Sequence, residues 1–242
     1  MLTTGDSRPE FVEALMFDEN RGVLLHGDYS DNEEGLAVNE MPFWSEWFYK
    51  IAEGEMLKHG CTSVGPTRVE VMPCLAYFHR HTKGLFWEME LVLPFGNHWL
   101  FRHLLGWLMP VSISLLKLTH NKTLQTFYEQ SHVAQDFLVP LSCLDEALKK
   151  THELFEVYPL WLCPHKVEQT SPQGACRFLP DQVPVIEKPG EAPFHMYIDV
   201  GVYGVSGMAK RGQRWSAPVS VSEFERYLIQ IGGYRFLRKK GS

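Results

Sequence analysis

Tyr197-Ile198-Asp199-Val200-Gly201-Val202-Tyr203-Gly204 is the stretch that decides the fold class. Successive side chains of a strand point to opposite sides of a sheet, so Ile198, Val200 and Val202 share one side and Tyr197, Asp199, Gly201 and Tyr203 the other. The aliphatic side calls for a covering layer. The polar side lines a pocket or faces solvent, and alternation alone serves either.

Working outward, residues 157–163 form a second compact apolar run before Pro164, and 11–17 and 22–29 flank Asp18-Glu19-Asn20-Arg21 as a hairpin with a polar turn. Helical spacing over 43–57 gathers Trp44, Trp47, Phe48, Ile51 and Met56 into an aromatic stripe. Residues 142–153 alternate Leu144, Ala147 and Leu148 with charges behind an expected cap at Ser142. Residues 77–91 read as helical until Pro94, with further helices over 98–109, 115–131 and 220–231 and strands over 133–139 and 234–237. Residues 166–193, rich in Pro and Gly, read as a long surface loop within one domain spanning 1–242. The sum is an α+β chain with a mainly antiparallel sheet covered by helices.

Composition narrows the partners. With 29 acidic against 23 basic residues the net charge is -6, so the chain has no basic surplus for nucleic acid phosphates. Five scattered cysteines form no CxxC pair and read as thiols in a reducing compartment. The sequon at Asn121 counts only in a secreted context, and residues 1–10 lack the build of a signal peptide. The apolar stretch 104–118, broken by Pro110, Ser112 and Ser114, falls short of the ~20 residues of a spanning helix. It reads as a buried core segment, with a lipid-facing loop the competing reading.

Tyr77-Phe78-His79-Arg80-His81-Thr82-Lys83, followed by Phe86-Trp87-Glu88, is the densest chemical cluster. On a helix Tyr77, His81, Leu85 and Glu88 share a face, which orients His81 and Glu88 mutually. On a strand His79 and His81 face together at the spacing of a metal-binding pair, but no nearby third ligand completes a metal site. Tyr158-Pro159-Leu160-Trp161-Leu162-Cys163-Pro164-His165 reads first as a core strand. No GxGxxG, GxxxxGK[ST] or GxSxG occurs, so the chain shows no nucleotide-binding loop of its own.

Eight motifs occur in order: Tyr77-Phe78-His79-Arg80-His81-Thr82, Phe86-Trp87-Glu88, Leu93-Pro94-Phe95-Gly96-Asn97, Leu105-Gly106-Trp107, Ser114-Leu115-Leu116-Lys117, Gln135-Asp136-Phe137-Leu138-Val139-Pro140, Tyr158-Pro159-Leu160-Trp161-Leu162-Cys163-Pro164 and Tyr197-Ile198-Asp199-Val200-Gly201. Together, over about Phe11 to Phe236, they closely resemble the delta(24)-sterol reductase family, one of the FAD-linked oxidases shaped like vanillyl-alcohol oxidase.

The resemblance implies the cap (substrate) domain of such an enzyme, with the FAD-binding domain missing and expected before Met1, and with family chains continuing past Leu237. It implies saturation of a sterol side-chain double bond, with FAD as cofactor and NADPH as electron donor. The implied partners are a sterol, a separate FAD-binding domain or chain, and a membrane surface at the endoplasmic reticulum. The alternative is a non-catalytic sterol-binding or scaffold protein derived from the cap.

Within that resemblance His79, His81 and Tyr77 are the candidate proton donors, because imidazole holds and releases a proton near neutrality. Arg80, Trp87, Glu88, Tyr158, Trp161, Tyr197, Asp199 and Tyr203 are the candidate substrate contacts. The competing reading makes Arg80 and the two histidines a structural network tying a helix start to the sheet. Tyr197, Asp199 and Tyr203 are expected on the sheet face that meets flavin and substrate.

Overall fold

The computed structural model describes residues 9–31, 35–60, 68–109, 130–168 and 183–235. Strands β1 (Phe11–Met16) and β2 (Gly22–Gly27) form the expected hairpin. Its turn closes because Asp18 Oδ1 accepts from the backbone N–H of Asn20 and Arg21 at 2.9 and 2.8 Å, the local bonding that suits Asp to turns. Short helices follow: α1 (Phe48–His59), α2 (Cys74–Phe78), α3 (Met89–Val92) and α4 (Trp99–Leu105), the last continued by a 3-10 turn, Gly106–Leu108. The chain then runs through β3 (His132–Pro140), α5 (Leu144–Phe155), β4 (Leu160–Glu168), β5 (Phe194–Val205), α6 (Gly207–Lys210), α7 (Ala217–Ile231) and β6 (Tyr234–Arg235).

Among the described residues six strands make one sheet in the order β2-β1-β4-β5-β3-β6, and every pairing is antiparallel. The α+β reading therefore holds. β5 lies between β4 and β3, with Val200 opposite Leu162 on one side and Phe137 on the other. As its alternation demands, Ile198, Val200 and Val202 turn into the main core with Leu160, Leu162 and Val139. Helices α5 and α7 close that core. Phe155 and Phe224 bring their rings to 5.8 and 4.7 Å from that of Phe137, and to 5.6 Å from each other. α7 starts with a proline in its first turn and stops at Gly232, whose φ of 74° supplies the left-handed cap that ends many helices.

The opposite face is covered too, where the alternation leaves it in a pocket or in solvent. Leu15, Trp161 and Tyr203 pack under a layer of Trp47, Tyr49, Ala52, Trp87 and Met89. The layer is built from short helices and turns. The expected helix over 77–91 does not form: α2 ends at Phe78, turns follow and α3 starts at Met89, because Leu85 and Phe86 sit at φ 42° and 61°, outside helical backbone space. A Cβ at Gly84 would meet Phe86 O at 2.5 Å, so the reversal needs glycine there. Lys83 donates to the carbonyls of Met41, at 2.7 Å, and Pro42, pinning the bend.

Several boundaries also differ from expectation: β4 runs from Leu160 through Pro164 to Glu168 rather than over 157–163, so residues 166–168 of the expected loop are strand, and α7 starts at Ala217 rather than 220. α1 begins at Phe48 rather than 43, and α5 begins at Leu144 after a 3-10 turn, with no side-chain cap from Ser142; Asp145 and Glu146 in its first turn complement the helix dipole instead. The expected helix over 115–131 lies outside the described residues apart from 130–131, as do Asn121, Cys61, Cys176, residues 169–182 of the long loop and 236–237 of the last strand. Cys74, Cys143 and Cys163 are free thiols.

Candidate active-site face

The non-aliphatic side of the sheet carries carboxyl groups in its middle strands. Ala14 pairs with Leu162 and Cys163 with Asp199, so Glu13, Cys163 and Asp199 form one row across β1, β4 and β5. Glu13 is only 3% exposed. Its Oε1 accepts from Arg80 Nε at 3.1 Å and lies 2.7 Å from Nη2, while Oε2 accepts from Trp161 Nε1 at 2.9 Å. Burial alone would raise this carboxyl, but contact with His81 and the Arg80 guanidinium outweighs it and holds the group at about 2.

Arg80 is itself enclosed. Its guanidinium lies 3.9 Å over the Tyr77 ring and 5.5 Å from that of Phe48, and Nη1 donates to Tyr77 O at 2.6 Å. His81 stacks on Phe86 with centroids 4.6 Å apart and sets its edge against Phe48 at 5.0 Å. Its Nε2 is 3.4 Å from Glu13 Oε1, within ion-pair range but off hydrogen-bond alignment, and Nδ1 has no hydrogen-bond partner among the described residues.

Phe86 joins this group to the centre of the sheet, with its ring 5.3 Å from Trp161 and 5.2 Å from Tyr203. Trp87 packs 5.9 Å from Tyr203 and donates from Nε1 to Tyr203 O at 2.5 Å. The Tyr203 ring lies flat over Gly201, where a Cβ would come within 2.8 Å of the hydroxyl, and its OH donates to Asp136 Oδ1. Asp199 is 5% exposed, with His165 Nε2 3.9 Å from Oδ2 and no hydrogen bond to Oδ1 among the described residues. Burial first, and then the charge of Asp136, pushes its carboxyl up to about 7. Burial likewise pushes the Cys163 thiol up to about 11, which leaves it an unreactive neutral group.

The structure thus unites Tyr77, Arg80, His81, Trp87, Trp161 and Tyr203, and sets Asp199 beside them on the same face. It separates four other candidates. His79 is exposed, its Nδ1 3.3 Å from Thr82 Oγ1. Glu88 pairs with His132 at 2.5 Å rather than with His81, a correction that follows from the broken helix. Tyr158 packs against the main core on the other face, its hydroxyl 3.2 Å from His152 Nδ1. Tyr197 keeps to the expected face but is fully buried against Leu138 and Val183, and its OH is bonded to Gly232 O at 3.0 Å.

Glu13 and Asp136 were not singled out from the sequence. Glu13 did leave a signal, the one acid among Phe11-Val12-Glu13-Ala14-Leu15-Met16, at a position that alternation aligns with Phe11 and Leu15. Chemically, the face offers an aromatic wall, one fixed ion pair and one carboxyl that keeps its proton to neutrality, which suits apolar ligands and proton donation. A cleft of about 600 Å³ lies elsewhere, between the hairpin turn, His152, Glu156, Tyr158 and Lys210, and its charged lining does not suit hydrocarbon.

Comparison with known proteins gives the arrangement its context. The chain is 38% identical over 232 residues to the delta(24)-sterol reductase of Arabidopsis thaliana and 34% identical over 228 residues to that of Homo sapiens, each alignment covering 94% of this chain and 40% of the relative. It is 38% identical over 200 residues to a delta(24)-sterol reductase homologue of Caenorhabditis elegans, covering 81% of this chain and 34% of that one. Neither a family model nor a solved structure matches the chain. It spans about 40% of the length of its plant and human relatives, and over nearly all of its own length it is homologous to one segment of the delta(24)-sterol reductases.

Proposed function

We propose that the chain supplies the substrate-binding part of a flavin-dependent delta(24)-sterol reductase, which saturates the side-chain double bond of a sterol. The observation that carries this reading is homology to enzymes of that name along 94% of the chain. A sterol is almost wholly hydrocarbon, and the mutually packed rings of Phe86, Trp87, Trp161 and Tyr203 are apolar surface of the kind that would take such a molecule by removing its surface from water.

The described residues do not fit the pyrophosphate of FAD. The sequence has no glycine-rich phosphate loop, and this face presents acids and aromatic rings. In this reading a separate domain or chain would hold FAD, which, once reduced by NADPH, would supply the hydride for the alkene. What these residues contribute is exclusion of water, placement of the side-chain alkene and the proton that the second alkene carbon requires. His81, enclosed by Phe86 and Phe48, is better shielded for that task than exposed His79, and Tyr77 is the alternative donor. Asp199, protonated up to about pH 7, is a further acid on the same face. A location at the endoplasmic reticulum belongs to the same reading; no helix among the described residues is long and apolar enough to cross a membrane.

The test joins this chain to the segment of the Arabidopsis relative that it does not span, and follows reduction of a sterol side-chain alkene with NADPH. Saturation is expected only with both parts present. Sterol binding without reduction would favour a binding or scaffold role, and neither binding nor reduction would reject the proposal. In the active pair, His81→Gln and Asp199→Asn are expected to slow alkene reduction by ~10²-fold or more while flavin reduction by NADPH persists, and His79→Gln to change little. Wild-type rates in both the His81 and Asp199 variants would remove both from proton delivery.

A further inference from the structure

His81, the better shielded candidate for proton delivery, is sealed off as the chain stands. Both of its ring nitrogens are buried, and Nε2 faces the Glu13 carboxylate at 3.4 Å. An imidazole so placed touches no outside molecule, so proton delivery from it requires one of its covers to move. Of those covers, Phe48 and Glu13 are themselves buried, whereas Phe86, stacked on the imidazole at 4.6 Å, reaches the surface.

The backbone that carries Phe86 is strained. Leu85 and Phe86 take φ of 42° and 61°, a left-handed conformation that crowds the Cβ of an L-residue against the following carbonyl. Such strain persists only where the surroundings hold it, and it gathers at ligand clamps and switches. Here the holding contacts lie on either side. Lys83 donates to Met41 O at 2.7 Å, Trp87 Nε1 donates to Tyr203 O at 2.5 Å, and Met89 N–H donates to Gly84 O at 3.0 Å. Between these anchors Leu85 is exposed, and the Phe86 ring fills the space between His81, Trp161 and Tyr203, all of them partly exposed.

We propose that Phe86 is the gate of this site: its ring swings outward as Leu85 and Phe86 relax, and an apolar chain takes its place between Trp161 and Tyr203, against His81. Return of the two residues to ordinary backbone space offsets part of the packing lost when the ring leaves, and the incoming hydrocarbon restores the rest. The displaced ring also sets the bulk admitted. A space of one phenyl ring takes the branched end of a hydrocarbon chain, not a fused ring system. The identity of that chain as a sterol side chain rests on the proposed function, whereas the gate does not.

Carbethoxylation by diethyl pyrocarbonate, read by tandem mass spectrometry, measures access to His81 in the purified chain with neither sterol nor flavin present. Exposed His79 is the internal reference. In the wild type His81 is expected to react at least about tenfold more slowly than His79, because reagent reaches it only in the open state. Phe86→Ala should bring His81 to within about threefold of His79. Phe86→Leu, which keeps the space partly filled, should lie between the two and serves as the test should the alanine variant lose its native circular dichroism. Leu85→Asn places at an exposed position a residue suited to left-handed backbone, and should slow His81 by about threefold more. Tryptophan quenching by a sterol with a side-chain double bond should then report binding at least about threefold tighter to Phe86→Ala than to the wild type, since no ring has to be displaced. The proposal is overturned if wild-type His81 reacts as fast as His79, if His81 stays slow in a folded Phe86 variant, if Leu85→Asn has no effect, or if the alanine variant binds sterol more weakly. Absence of sterol binding in every form, with the access rates in the expected order, would reject the sterol reading and uphold the gate.

Discussion

Glu13 is a carboxylate enclosed by aromatic rings, and its burial is tolerable because Arg80 and Trp161 satisfy both oxygens. Removing one member of such a pair leaves the other buried and uncompensated. Glu13→Gln is therefore expected to cost about 3–5 kcal/mol in denaturant unfolding. The pH dependence follows from the same contact. The carboxyl is lowered in the folded chain from 4.5 to about 2, so its stabilisation is complete above about pH 4.5 and is lost as pH falls from there through 2. Melting of the wild type should show that loss, and Glu13→Gln should show a smaller one, because Asp18, Glu55 and Glu156 are also held below the usual carboxylate range. Asp199 has the opposite sign. Its carboxyl is raised from 3.8 to about 7, so its contribution is most favourable at low pH and declines as pH rises through 7. Asp199→Asn should leave stability near wild type below about pH 3.8 and raise it progressively from there to pH 7, levelling off above at roughly 2–4 kcal/mol for a shift of this order. The absence in the wild type at neutral pH of an infrared carbonyl band that Asp199→Asn removes would count against a protonated Asp199.

At the level of elements, α5 and α7 are held to the sheet by aromatic packing rather than by their own propensity. Phe224 is fully buried and touches the rings of both Phe137 and Phe155. Phe224→Ala should cost about 3–5 kcal/mol, measured as a lower denaturant midpoint, by loss of transfer energy and opening of a cavity. These helices and the strands beneath them were legible from the sequence because their periods, 3.6 and 2, are strong and each has a single apolar side. Residues 77–91 were not. Their histidines and aromatics fit a helical face, but the reversal at Gly84-Leu85-Phe86 depends on contacts with Met41, Pro42 and Trp47. Those partners lie some forty residues away in the chain, where local periodicity carries no information about them.

At the scale of the molecule, a face of acids and aromatic rings without a phosphate cradle sets an expectation for the purified chain. It should be colourless, and titration with FAD should leave no stoichiometric flavin absorbance after gel filtration; a retained flavin band would show that these residues hold the cofactor by themselves. The conditions that moved Tyr158 and Glu88 away from the site are global ones. β4 turns Leu160 and Leu162 toward α5 and α7, so Tyr158 follows the main core, while Trp161 faces Glu13. Glu88 lies beyond the reversal and meets His132 at the start of β3.

The sequence by itself determined that β5 has an aliphatic and a polar side, that the sheet is antiparallel with helices on it, and that Tyr77, Arg80, His81, Trp161 and Tyr203 are candidates to be weighed together. These follow from local alternation and from motif order, both written along the chain. Tertiary structure alone decided that Glu13 anchors Arg80, that Phe86 joins His81 to Tyr203, and that Asp199 keeps its proton to about pH 7. Each of these depends on burial and on charges brought together by strand pairing, and neither desolvation nor a cross-strand neighbour has a value until the sheet is assembled.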